Sequence, residues 1–173
     1  MGTGLEKLEF QDVQDFNPEH IFDCGQCFRW NRELDGSYSG IVEGCFANIS
    51  YKPNPGAVGG LVKIWSNLLA DSPTLREKYW VDYLDLDRDY SSVKRLLTTE
   101  DTIMAKAVQA GYGIRILNQN KWETLISFII SQNNNIPRIK GCIESLCSEF
   151  GRPVGTRVGI TLHAFPSVDK LSV

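Results

Sequence analysis

Three consecutive amides, Asn133, Asn134 and Asn135, stand close before Arg138. Side-chain amides carry donors and acceptors together, and a guanidinium offers a planar fork of donors that a lysine cannot copy. Held on a rigid mount, such groups can read the hydrogen-bonding edge of another molecule. The bland alternative is a helix–helix turn with one cap, because Asn is common in turns. Two other sets of residues could do chemistry. Asp82, Asp85, Asp87 and Asp89 could bind a metal or act as acid and base. No His, Glu or Gly-rich calcium loop supports that, so they read as a solvated strand end leading into a helix cap. Cys24 and Cys27 form a C-x-x-C, but a zinc site takes about four ligands. Cys45, Cys142, Cys147, His20 and His163 supply no second close pair, so the cysteines read as small packing residues and no metal is expected.

The mount for the amides is readable. Trp122, Leu125, Ile126, Ile129 and Ile130 have the i, i+3, i+4 spacing of a buried helix face, and Ile139, Ile143, Leu146 and Phe150 repeat it before Gly151. Asn135 caps the second helix, and Pro137 fits its first turn, where no intrahelical N–H bond is needed. Upstream, Asn17-Pro18 opens a short helix ended by Gly25, with Phe16 stapled onto Ile21 and His20 on the surface. From Gln26 to Trp65 the pattern is an antiparallel meander. Phe28 and Trp30 alternate with Cys27, Arg29 and Asn31; Asp35-Gly36 makes a hairpin turn; Tyr38–Glu43, Phe46–Lys52 and Leu61–Trp65 follow. Residues from Thr74 to Tyr79 can cover the sheet, and Tyr79–Leu86 reads as a further strand. Val93, Leu96 and Leu97 then share a helix face, and Thr99 can cap a helix closed by Gly111. Residues 152–173 are rich in Gly and Pro, with a helix start only at their end.

The chain has 173 residues, 42% hydrophobic and 23% charged, as an ordinary folded protein does. The net charge of −3 argues against a general nucleic-acid binder, but its distribution is uneven. Residues 1–101 hold ten basic against seventeen acidic side chains, and residues 102–173 hold eight against four. Any contact with phosphates therefore falls to the second part. No apolar run reaches the length of a membrane span, and the N-terminus lacks a signal-peptide core, so a cytosolic location and no membrane partner are expected.

Four blocks, in order, resemble the 8-oxoguanine DNA glycosylases of the helix-hairpin-helix superfamily. They are Gly25-Gln26-Cys27-Phe28-Arg29-Trp30, the segment from Tyr79-Trp80 to Leu84-Asp85-Leu86-Asp87, Gly113-Ile114-Arg115-Ile116-Leu117, and the stretch from Ser127-Phe128 through Asn133-Asn134-Asn135-Ile136-Pro137-Arg138. His163-Ala164-Phe165-Pro166-Ser167 is similar to a later element of that family. The resemblance implies an α+β fold: an antiparallel, TATA-binding-protein-like sheet with covering helices over residues 1–90, then the start of an all-α glycosylase domain over 91–173. It implies a base-excision repair enzyme, a glycosylase and AP lyase, that turns 8-oxoguanine out of duplex DNA. The partner would be double-stranded DNA with the lesion opposite cytosine, no cofactor would be needed, and the location would be the nucleoid or the nucleus. Asn133 would fill the vacated place, Arg138 would grip the orphaned cytosine, and Asn134 would add a contact or support the corner. Only an acceptor close to N7 can sense the hydrogen that marks the lesion, and the resemblance gives that role to the backbone carbonyl of Gly25. Gln26 and Phe28 would support the loop, while Arg29 would reach phosphate or pair on the surface.

The reaction also needs a lysine that displaces the base and an aspartate beside it. In the family both belong to a block after the His163–Ser167 element, and Lys170 stands in the wrong context for that lysine. The expectation is therefore the N-terminal part of a glycosylase with no catalytic residue of its own. Borohydride treatment with a lesion-bearing duplex is expected to trap no covalent adduct; a trapped adduct would refute it. DNA binding is expected to be weak and strongly salt-dependent. Trp122, Ile129 and Ile143 are expected to lie exposed and to drive self-association. The alternatives are a non-catalytic DNA- or protein-binding module and a sister glycosylase for alkylated bases.

Overall fold

The computed structural model describes residues 4–56, 59–68, 71–99 and 101–171. Five strands form one antiparallel sheet: β1 (Glu6–Val13), β2 (Trp30–Arg32), β3 (Tyr38–Val42), β4 (Cys45–Pro53) and β5 (Gly60–Ser66). Their order is β1-β5-β4-β3-β2. The expected meander is present from β2 to β5, and Gly36 takes φ +83 in the expected hairpin turn. The meander gains β1, in which Leu8 and Phe10 pair with Ile64 and Val62. It loses most of its first strand, because β2 begins only at Trp30. Cys27, Phe28, Arg29 and Trp30 are all buried, so this stretch has no polar face.

Tyr38, Val42, Ala47, Ile49, Val62 and Ile64 make the inner face of the sheet. Ile21 and Phe22 from α1 (Pro18–Phe22) and Trp80 and Tyr83 from α2 (Pro73–Tyr83) cover it. The expected strand over Tyr79–Leu86 is overturned here. Ser72 caps α2 by accepting from Leu75 N, and Pro73 sits in the first turn. Trp80, Tyr83 and Leu84 then fall at helical spacing on one buried face. Helix α1 starts as expected, with the Asn17 side chain accepting from Glu19 N at 2.9 Å. Its C-cap is Asp23, however, two residues before Gly25. His20 is not free at the surface: its Nδ1 accepts from Gly113 N at 3.2 Å and its ring meets Tyr112 edge-on. Gly113 is needed there, since a Cβ would come within 2.2 Å of Asn17 Cβ.

Helix α3 (Tyr90–Thr98) is capped by Asp89, so one of the four aspartates serves as the cap expected of them. Helix α4 (Thr102–Ala110) is capped by Asp101 rather than Thr99 and closed by Gly111. Helices α5 (Lys121–Ser131) and α6 (Ile136–Phe150) form the expected pair. After them comes an unexpected hairpin, β6 (Pro153–Arg157) and β7 (Ile160–His163), and a last turn α7 (Val168–Leu171). A second core of Phe28, Ile139, Ile143 and Cys147, with Ile130 and Phe165 against it, seats α6 on the chain just ahead of β2. The apolar stripe of α5 is largely open: Leu125 and Ile129 are each 55% exposed. Ile143 is fully buried instead of exposed, and Trp122 is half-buried with its indole N–H donating to Pro166 O at 3.0 Å. No helix among the described residues is long and apolar enough to cross a membrane.

Candidate nucleic-acid interface

The α5–α6 corner is held by its own backbone. Gln132 N donates to Ile129 O and Asn134 N to Ser131 O, which closes α5. Asn135 caps α6 by accepting from Arg138 N at 3.1 Å. The Asn134 side chain is spent internally, with Oδ1 accepting from Asn135 N and Nδ2 donating to Ile130 O. It supports the corner. Asn133 lies between these fixed points at φ +57, a left-handed conformation that Asn tolerates better than most residues. Its side chain and that of Arg138 are exposed, and neither has a hydrogen bond among the described residues. The corner therefore presents one amide and one guanidinium outward on a braced turn.

The Gly25 loop is braced more heavily. Gly25 takes φ +87, and nothing lies within 4 Å of where a Cβ would stand, so its backbone is open to an approaching group. Next to it, Gln26 uses its whole amide inward. Nε2 donates to Ile21 O at 2.9 Å and Arg115 O at 2.8 Å, and Oε1 accepts from Leu117 N at 3.0 Å. Gln119 Nε2 donates to Gln26 O at 2.6 Å, and Tyr38 OH donates to Asp23 Oδ2 at 2.5 Å. Gln119 and Tyr38 carry no motif signal, and only the fold reveals them as braces. Cys27 is buried with its thiol toward Phe22 O, and burial pushes that thiol well above the ordinary cysteine range. It is a packing residue. Phe28 packs on Ile139, Ile143 and Cys147 and meets Phe128 edge-on.

Arg29 departs from expectation. It is 5% exposed, an inward side chain and not the surface one the pattern suggested. Its Nη2 donates to His163 O at 2.5 Å, and Nε lies 3.7 Å from Glu144. Nε and Nη1 have no hydrogen-bond partner. The guanidinium pulls on the nearby Glu123 carboxyl, but burial dominates and pushes Glu123 up to about 7. Arg29 thus joins the Gly25 segment to α5, α6 and β7 from inside, and the alternating pattern hid this.

A sheet unit that runs into a helix pair, with a bare amide corner mounted behind an open glycine loop, has the build of a DNA glycosylase. The family is definite: the chain belongs to the 8-oxoguanine DNA glycosylases, whose N-terminal domain model it matches over residues 8–125. It is 30% identical over 151 residues to "N-glycosylase/DNA lyase OGG1" of Arabidopsis thaliana, covering 87% of this chain and 40% of that protein. The 8-oxoguanine glycosylase/lyase of Clostridium acetobutylicum in its apo form superposes with TM-score 0.81 at 38% identity, covering 97% of this chain and 56% of that one. The same enzyme with double-stranded DNA containing cytosine opposite 8-oxoguanine gives 0.79 at 38%, covering 98% and 57%. The chain therefore spans about half the length of the proteins it matches.

Proposed function

We propose that this chain carries the lesion- and cytosine-reading half of a base-excision repair glycosylase/lyase acting on 8-oxoguanine in duplex DNA. One observation carries the reading. Asn133 and Arg138 are the outward groups of a corner whose helix packs, through Phe28, on the segment that presents Gly25. In this reading Asn133 enters the stack as the damaged base leaves, and Arg138 donates its fork to the acceptors of the cytosine left behind. Gly25 offers its carbonyl to the N7 hydrogen, with Gln26 and Phe28 as its braces. Arg29 acts as an internal strut. The unit over 1–90 and the helical unit over 91–173 meet at the 113–119 segment, which Gln26 and Gln119 fasten to the loop. The reading puts the protein where the DNA is, in a nucleoid or a nucleus. The open stripe of Leu125, Phe128 and Ile129 favours self-association at high concentration.

Fluorescence anisotropy with a duplex bearing 8-oxoguanine opposite cytosine tests it, at protein concentrations where sedimentation finds a monomer. Arg138→Ala is expected to weaken binding about ten- to a hundredfold, as loss of a charged, forked contact does. Arg138→Lys keeps the charge without the fork and should recover only a small part of this. Full recovery with lysine, or an equal loss when adenine stands opposite the lesion, would remove cytosine reading from the proposal.

A further inference from the structure

We infer that Lys140 is a positioning residue that locks the cytosine-reading corner and the lesion-reading loop into one register. The inference rests on the functional reading above. Lys140 Nζ donates to Trp30 O at 2.6 Å and to Asn31 Oδ1 at 3.2 Å. These acceptors lie on β2, a few residues past Gly25. Lys140 is two positions after Arg138 on α6, and two helical steps turn a side chain by about 200°. Arg138 therefore faces out within about 3 Å along the helix of where Lys140 faces back to the sheet. An anchor there acts directly beneath the reading group.

Three contacts seat α6 on the segment after Gly25, and they differ in kind; the Arg29–Glu144 pair is long, at 3.7 Å, and its carboxylate is exposed. Phe28 against Ile139, Ile143 and Cys147 is apolar, so its energy changes little when the helix slides or rolls. The Lys140 bonds are directional, and both are charge-assisted because the donor is an ammonium. They fix the shift and the roll that the apolar contact leaves loose. Trp30 passes the constraint back toward the glycine: its ring stacks on Phe22 at 4.5 Å, and Phe22 ends the helix that leads into the loop. The Lys140 ammonium thereby fixes the part of the spacing between the Gly25 carbonyl and the Asn133–Arg138 pair that the other contacts leave loose. Both readers can engage one duplex only at the right spacing, so Lys140 governs selectivity without touching DNA.

The test compares the chain with Lys140→Met and Lys140→Arg. Methionine keeps the apolar stem and loses both bonds, while arginine keeps a donor in reach. Binding is measured on 8-oxoguanine:cytosine and guanine:cytosine duplexes over a range of salt. Lys140→Met is expected to lower the ratio of the two affinities about five- to tenfold, the size of one or two lost hydrogen bonds. The affinity for the undamaged duplex and its salt slope should stay put, and Lys140→Arg should restore most of the ratio. A uniform loss on both duplexes with a shallower salt slope would make Lys140 a phosphate contact and overturn the inference. An unchanged ratio would overturn it too. A parent chain with no lesion preference would sink the functional reading first, and the coupling with it. Hydrogen exchange gives a readout without DNA. Lys140→Met should speed exchange in residues 26–31 and 133–138 together, and a change confined to the turns around residue 140 would count against the lock.

Discussion

Ile143→Ala is expected to lower stability by about 3 kcal/mol, within the usual span for emptying a fully buried aliphatic site. Ile143 has no exposed surface and sits at the centre of the small core formed by Phe28, Ile139 and Cys147. That core has few members, so little can move in to fill the gap. Ile129→Ala is the internal control. The two isoleucines look alike in the sequence, one on each helix of the same pair. Ile129 is 55% exposed, however, and its truncation should cost less than about 1 kcal/mol. Urea melts decide it: the Ile143 variant should lose midpoint at constant slope, and the Ile129 variant should nearly overlay the parent. Equal shifts for both would mean that α6 is not seated on Phe28 in solution. The mount matters for function, since whatever loosens α6 moves Arg138 relative to Gly25.

The same pair shows what the sequence could and could not say. The cap at Asn135, the early Pro137 and the stop at Gly151 are local events that depend on the backbone just beside them, and each is where the pattern puts it. The Asp35-Gly36 turn is local in the same sense. Burial is not local. The stripe on α5 has the period of a buried face, yet within the described residues little covers it. Period reports which side chains share a face and not whether a partner lies against it.

Tyr79–Leu86 went the other way. Its aromatics favour a strand by propensity, but Ser72 and Pro73 start a helix that carries them onto the sheet, and tertiary packing overrides the preference. The hairpin of β6 and β7 was hidden by its short strands and glycines. It is held from a distance by Arg157 to Glu33 at 2.5 Å. For the candidate site, the outward amide and guanidinium of Asn133 and Arg138 were readable from residue type and spacing, whereas Gly25 read there only as a helix stop and its role came from the family resemblance. The braces, namely Gln119, Tyr38 and Lys140, were not, because each reaches its partner across a long stretch of chain.

Glu123 gives the other large effect, and its sign is unusual for a carboxylate. It lies in the first turn of α5, where a negative charge is ordinarily favoured by the helix dipole. Burial first, then Glu43 and Glu144, push its carboxyl up to about 7 against the pull of Arg29. In the unfolded chain a glutamate titrates near about 4.3. Between those values the folded state keeps a proton that the unfolded state has released. The stabilisation is therefore whole below about 4, declines as pH rises toward 7, and is gone above it. The gap corresponds to roughly 3–4 kcal/mol. Glu123→Gln is neutral at every pH and should remove that decline: it should match the parent at about pH 4 and exceed it by about 3 kcal/mol at pH 8. The difference between parent and variant, measured by urea midpoint at each pH, isolates Glu123. Parallel curves for the two proteins would show that the carboxyl is charged and solvated when folded. Because the Arg29 guanidinium acts on this carboxyl and also reaches β7 and α6, the alkaline loss falls beside that strut and not on a remote part of the fold.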